Sequence, residues 1–426
     1  MRIALVSKTG ALVLCLLALL GQPSFAETTQ AQATQAQNTQ AQAITSVSIK
    51  GLTRTRRQVA ERPLEKYIGT PAADLDTNEV TATLLEMGIF EEIKVETLPA
   101  EDGSGSVLAV TLRERWSIFP LPLFIATSEG ITGGLALIDA NAFGLNDKLY
   151  AVGMLFPGGW MSMLAYMSTP DTSDDWRWSV SGSYSRQDTK DSDAYGNNLR
   201  RYGHDSIGAG LSLGKSVAAN VSLSLSLGYK DKAIRTIDSQ LLPPESSRHI
   251  TASGDLGWRT STWDGAFLNQ NSLGLGYGYN FALIDRSYQT LSLRAAYERS
   301  LFSGMKLGIK GSTLYDGEAP AAYENSAERV GITLMPPSYS VRSLAGASIG
   351  VEARIVKFPF GVLAALASYQ GLVSESPLFD ARIDHGPAGG IRLYVARLAI
   401  PAMDIGFAYN IPTGLFKATF GIGARM

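Results

Sequence analysis

From Trp116 onward the chain alternates apolar residues with small or polar ones, segment after segment. In N-V-S-L-S-L-S-L-G-Y, residues 220–229, Val221, Leu223, Leu225, Leu227 and Tyr229 hold the odd positions, and Ser222, Ser224, Ser226 and Gly228 the even ones. An extended strand throws successive side chains to opposite faces, so this segment has one oily face and one small, polar face. A soluble sandwich would turn the leucines inward, whereas a transmembrane barrel would turn them out to lipid. The same alternation predicts strands near 117–126, 130–139, 147–156, 159–169, 176–186, 206–216, 221–233 and 248–260. Further strands are predicted near 271–282, 287–300, 305–317, 346–357, 359–372, 386–397, 401–410 and 415–426. That makes about sixteen, an even number, each close to the length that a tilted membrane strand requires.

The connections sort by parity. If the first strand starts in the periplasm, the long polar links 187–205, 234–247, 318–345 and 373–385 all lie outside. Most inner links (216–220, 301–304, F-P-F-G, I-P-A) are short, and 261–270 is the longest. Membrane barrels have short periplasmic turns and long outer loops, and a soluble sandwich has no reason to sort its loops. Val221, Leu223, Leu225 and Leu227 are therefore expected to face lipid, and the serines a wet lumen. Trp160, Trp176, Trp178, Tyr184, Tyr229, Trp258, Tyr369, Tyr394 and Tyr409 fall in strands or at their ends, where interfacial girdles form. Buried core aromatics would also account for them. After Ile44 no run approaches the about 18–20 apolar residues of a membrane helix, so any span there must be a closed barrel.

The start of the chain differs. Residues 1–26 carry Arg2 and Lys8, then A-L-V-L-C-L-L-A-L-L, then P-S-F-A, the form of a cleaved signal peptide. An uncleaved anchor is the alternative, although the run is short for a bilayer. Cys15 is the one cysteine and lies inside this segment, so the mature chain is expected to have no thiol and no disulfide. Residues 27–43 form a Gln/Ala/Thr tract read as a disordered linker, or as a helix that orders on contact. Residues 44–115 read as a small α+β domain. I-T-S-V-S-I-K-G-L alternates as a strand, residues 55–69 have helical spacing broken by Pro63, and residues 75–90 form a helix with Asp76 or Thr77 as cap and Gly88 as stop. Strands I-K-V-E-T-L-P and S-V-L-A-V-T-L-R-E-R follow, giving the order β-α-α-β-β. Residues 116–426 are then the barrel.

Composition adds little. Among 426 residues, 37 Lys and Arg stand against 39 Asp and Glu, so no net charge draws the chain to nucleic acid. Gly346-Ala-Ser348-Ile-Gly350 matches G-x-S-x-G, but it lies within an alternating strand and not at the strand–turn–helix elbow a nucleophile needs. His204, His249 and His385 show no metal spacing and are expected in or beside outer loops. G-L-G-Y-G-Y at 274–279 lacks the setting of a phosphate loop. No enzyme activity, cofactor or metal is expected.

Two stretches of the small domain, I-T-S-V-S-I-K-G-L-T at 44–53 and L-L-E-M-G-I-F-E-E-I-K-V-E at 84–96, resemble a POTRA domain, with Gly51, Gly88 and Phe90 in its signature places. Two barrel stretches resemble the BamA/TamA superfamily of outer-membrane assembly factors. G-I-T-G-G-L-A-L-I-D-A-N-A-F-G-L-N-D-K-L at 130–149 looks like its early N-L-F-G-R-G-Q turn, and S-V-R-S-L-A-G-A-S-I-G-V-E-A-R at 340–354 is similar to its loop-six V/I-R-G-F/Y motif. The resemblance implies that Val341, Arg342, Ser343 and Leu344 form that motif, with Arg342 pointing into the lumen and Glu352 as its candidate partner. Ser343 stands where the family has Gly, Tyr369 where it has Asp, and Met426 where it has a terminal Phe.

The expected architecture is thus mainly β: a transmembrane antiparallel barrel of about sixteen strands preceded by one POTRA domain. The resemblance implies insertion or translocation of client polypeptides at the outer membrane of a Gram-negative bacterium, with the POTRA domain in the periplasm. Periplasmic chaperones or accessory lipoproteins are candidate further partners. A single POTRA domain suits a specialised paralogue or secretion transporter better than the central insertase. A passive solute channel on the same scaffold is the alternative. Pro120 and Pro122 in the first strand lack backbone donors on one edge, which predicts a weak lateral seam against the last strand near Phe420 and Gly421.

Overall fold

The α+β domain forms where its alternation and caps predict. The computed structural model describes residues 43–100, 105–127, 130–170, 176–239, 243–264, 267–302, 304–359, 361–395 and 401–422. The predicted signal segment and all of the predicted linker but Ala43 lie outside them. Strand β1 is Ile44–Lys50, helix α1 is Arg57–Glu61 with a 3-10 continuation Arg62–Tyr67, and helix α2 is Thr77–Glu86. Strands β2 (Phe90–Pro99) and β3 (Ser106–Glu114) complete it. The α-helix gives way at Pro63, which has no N–H for the next bond. Asp76 caps α2 by accepting the Asn78 amide at 2.8 Å, and Gly88 ends it with φ +74. β3 is central, parallel to β1 and antiparallel to β2. Leu64, Val80, Leu84, Phe90 and Leu108 are fully buried between helices and sheet.

The barrel begins with β4 (Ile118–Thr127), β5 (Gly130–Ala142), β6 (Asp147–Phe156), β7 (Gly159–Met167) and β8 (Arg177–Ser192). It continues through β9 (Asn198–Ala218), β10 (Val221–Ser239), β11 (Ser247–Asp264), β12 (Phe267–Ile284), β13 (Tyr288–Phe302) and β14 (Met305–Gly317). Two short strands, β15 (Asn325–Ser326) and β16 (Ser340–Val341), pair within the next link. The wall resumes with β17 (Ser343–Phe358), β18 (Gly361–Ser376), β19 (Phe379–Val395), β20 (Pro401–Asn410) and β21 (Leu415–Ile422). Neighbours along the chain pair antiparallel, and β21 pairs with β4 to close the barrel. β6, β14 and β20 match their predicted spans residue for residue.

The faces are those of a membrane barrel. Leu225 and Leu227 are 47% and 58% exposed on the outside, while Ser224 turns inward and bonds Ser212 at 3.3 Å. Trp160, Trp178, Trp258, Tyr369 and Tyr409 are likewise exposed, as girdle residues should be. Tyr394 is not one of them. It faces the lumen and donates to Glu352 at 2.6 Å.

Four links differ from expectation. Most of 187–205 and half of 234–247 is strand, because β8 to β10 run 16, 21 and 19 residues. Beyond the bilayer both faces of a strand meet water, so the hydrogen-bond ladder continues after the hydrophobic alternation stops. Segment 373–385 closes as a tight hairpin between Ser376 and Phe379. The inner link 261–270 is nearly all strand as well. Only 318–345 contains the long excursion predicted for it.

Gly51 has φ +88, and a Cβ there would lie 2.0 Å from the Leu112 carbonyl oxygen. Gly51→Val should therefore destabilise the α+β domain by about 2 kcal/mol or more. Proteolysis should then clear the domain while unheated protein keeps the gel mobility of a folded barrel.

Candidate functional site

The link between β14 and β17 turns back into the outer mouth of the barrel and fills it. Gly331, at φ +77, redirects the chain into I-T-L-M, and Ile332, Leu334 and Met335 are buried with Tyr339 and Val341. The wall meets them with Leu314, Leu344 and Leu372. Gly346 has no side chain because the plug occupies its place: a Cβ would sit 2.6 Å from Ile332. Gly346 is thus a seat for the plug and not part of a nucleophile elbow. Gln370 of β18 accepts from the Thr333 amide at 2.9 Å, and Tyr339 pairs its hydroxyl with Ser374 at 2.7 Å.

Buried charge fastens the plug across the barrel. Arg200 of β9 is the largest fully buried side chain among the described residues. Its guanidinium bonds Asp191 of β8 at 2.9 Å and the plug's Glu324. Next to it, the Tyr323 ring has the Lys232 ammonium 4.7 Å from its centroid and lies edge-on to His249 at 5.5 Å. His204, His249 and His385 sit on β9, β11 and β19, and no group of three ligand side chains forms a metal site among the described residues.

The motif residues divide. Val341 and Leu344 are buried in the plug core, and Ser343 opens β17 opposite Tyr315 and Glu375. Arg342 approaches Glu324 at 3.9 Å, too far for a hydrogen bond. It does not meet Glu352. Ten residues of strand at about 3.3 Å each put Glu352 roughly 30 Å further along β17. There Glu352 binds Tyr394, Arg392 at 3.5 Å and Lys306 at 3.7 Å. Tyr369 faces outward and bonds His385 at 2.6 Å, so its neighbour Gln370 is the residue that meets the plug. Arg200, Glu324 and Gln370 were missed: Arg200 and Glu324 lie in polar stretches without periodicity, and only the inward parity of Gln370 was there to be read.

The seam lies between β4 and β21. Phe420, Gly421 and Ile422 face Ala126, Ile125 and Phe124, three register pairs, whereas β4 and β5 share ten. The Ser117 carbonyl accepts the Ala140 amide opposite it at 2.8 Å, so the odd residues of β4 bond to β5. Pro120 and Pro122 are even, and their missing donors therefore face β21. In this register their partners would be Ala424 and Met426, which lie outside the described residues. Phe124 and Ala126 supply about four hydrogen bonds across the seam, each worth about 1 kcal/mol. Lys417, on the same strand as Phe420 and Gly421, points into the plug.

Below the seam strand, the α+β domain is clasped to the barrel. Arg54 bonds Asp139 and donates to Ser117 at 2.6 Å, Asn141 donates to Thr55 at 2.8 Å, and the Arg56 amide donates to the Gly144 carbonyl at 2.8 Å. Glu114 holds segment 53–55 from the domain side, accepting the Thr55 amide at 2.7 Å and the Thr53 hydroxyl at 2.6 Å. Partial burial works against its charge, but the bonds from Thr53, Thr55 and Arg54 outweigh it and bring the carboxyl down to about 2. The clasp is thus at full strength above the ordinary glutamate range and lost only as pH falls through about 2. Hydrogen exchange at residues 53–55 should stay protected at pH 4 in the wild type. Glu114→Gln should lose much of that protection already at pH 7.

Arg200→Met would leave two carboxylates buried without their cation, a loss of about 3–5 kcal/mol to plug docking. In planar bilayers it should open a conductance that the wild type lacks. Arg342→Met should change conductance far less, and equal effects would return the fastening to Arg342.

No family model matches the sequence, and no curated protein matches it. Solved structures do. BamA from Haemophilus ducreyi lacking POTRA domains 1-3 superposes with a TM-score of 0.67 at 14% identity, covering 89% of this chain and 84% of that one. CdiB from Acinetobacter baumannii gives 0.59 at 14% identity over 90% and 74% of the two chains, and CdiB from Escherichia coli 0.61 at 13% over 90% and 76%. The sixteen-stranded barrel fold of this chain is that of the BamA and CdiB structures.

Proposed function

We propose that the chain is an outer-membrane protein that inserts or translocates client polypeptides through a laterally opening seam, without covalent chemistry or a cofactor. The seam carries this reading. Its proline-bearing edge lacks two donors, and three register pairs are described where the other edge of the same strand has ten. A parted seam exposes unpaired groups of β4, on which an incoming client strand can add by β-augmentation. The α+β domain, read as a POTRA domain in the periplasm, is clasped to β4 and β5 and would deliver clients to that edge. BamA and CdiB supply the precedent for the scaffold.

The passive channel is the second reading, and the plug weighs against it. An apolar core set in the outer mouth and fastened by buried ion pairs leaves little for free diffusion. Ile125 and Gly421 face each other at a pair whose backbone groups point away from the seam, where Cα atoms lie about 4.5 Å apart and a disulfide fits. Ile125→Cys with Gly421→Cys should stop client insertion into liposomes when oxidised and restore it on reduction. Full activity with the seam oxidised would transfer the assignment to the channel.

A further inference from the structure

Lys417 lies on β21 three residues before Phe420, where seam pairing begins. Its side chain points into the barrel and is 3% exposed. The ammonium donates to the Glu328 carboxylate at 2.8 Å and to the Met335 carbonyl at 3.3 Å, both in the plug. Asn410 of neighbouring β20 donates to the Met335 sulfur at 3.4 Å. This part of β21 has no β4 partner among the described residues. It is held by β20 on one edge and by the plug from within.

To open the seam, β21 must peel towards lipid. With the plug seated, that motion would tear Lys417 from both acceptors and carry an unpaired ammonium into an apolar medium, which is costly. Once the plug withdraws, both acceptors leave with it and water reaches the amine, so the same motion no longer breaks either bond. Glu328 is 53% exposed and can be solvated without its partner. We propose that Lys417 makes opening of the seam conditional on withdrawal of the plug. It acts as a positioning residue for the last strand. The inference rests on the lateral-seam reading above, and adds to it the order of events: plug first, seam second.

The test uses the full chain in liposomes with cysteines at Ile125 and Gly421, and a control pair at Phe407 and Ala418, which face each other across β20 and β21. Lys417→Met keeps the length of the side chain and removes its charge. It should slow disulfide formation at the seam severalfold, leave the control pair unchanged, and be rescued by Lys417→Arg. Glu328→Gln keeps the lysine and should shift the seam in the same direction, which covers the case in which Lys417→Met fails to fold. A seam rate unchanged in both variants, while the oxidised seam still blocks client insertion, would overturn the coupling and leave the lateral seam standing. An oxidised seam that permits insertion would overturn both.

Discussion

Lipid offers a peptide group nothing to bond with, so each strand in the wall must find donors and acceptors on both of its edges. Fifteen of the sixteen wall contacts meet this demand by antiparallel pairing of wall strands consecutive along the chain, β14 with β17 across the plug link among them. The sixteenth must join the two ends of the barrel. There β4 presents prolines where amides are needed, and the closing contact has the fewest register pairs in the ring among the described residues. The other parts of the site gather around this shortfall. The α+β domain grips the lower end of β4 and β5, and the plug reaches β20 and β21 from inside.

The wall was largely legible in the sequence because a half-lipid, half-water strand enforces strict alternation, as in β6, β14 and β20. It stopped being legible where the environment became water on both sides. The outer ends of β8 to β10 keep their ladders with no pattern to announce them. Parity told correctly which face Glu352 occupies but said nothing about its depth, and depth is what separates it from Arg342. At Tyr369 the shift of a single residue exchanged the lipid face for the lumen face, since strand side chains repeat every two. Arg200 and Glu324 meet over 124 positions of sequence, and nothing local foretells such a pair.

The plug also revises the picture of the lumen. Small and polar inward residues suggested an open, wet interior, which holds for the serines of β10. At the outer mouth, however, the wall turns Leu314, Leu344 and Leu372 inward, and they would be exposed in an empty barrel. They make sense only as half of a core whose other half arrives on the loop. A barrel of this kind is closed by folding and not by narrowness, so its permeability depends on a conformational equilibrium.

The two prolines of β4 have one more effect. A strand that adds to this edge can find amide donors on Phe124 and Ala126, but none on Pro120 or Pro122. Under the lateral-seam proposal, any strand pairing there, the protein's own β21 included, would find a run of complete bonding partners only in the outer half of the wall, with Ile118 alone at the inner end. Alignments that rely on the inner half are penalised equally for all sequences. On that proposal, position along the membrane normal would be dictated by the host backbone, and a guest would need to carry no information about its own depth.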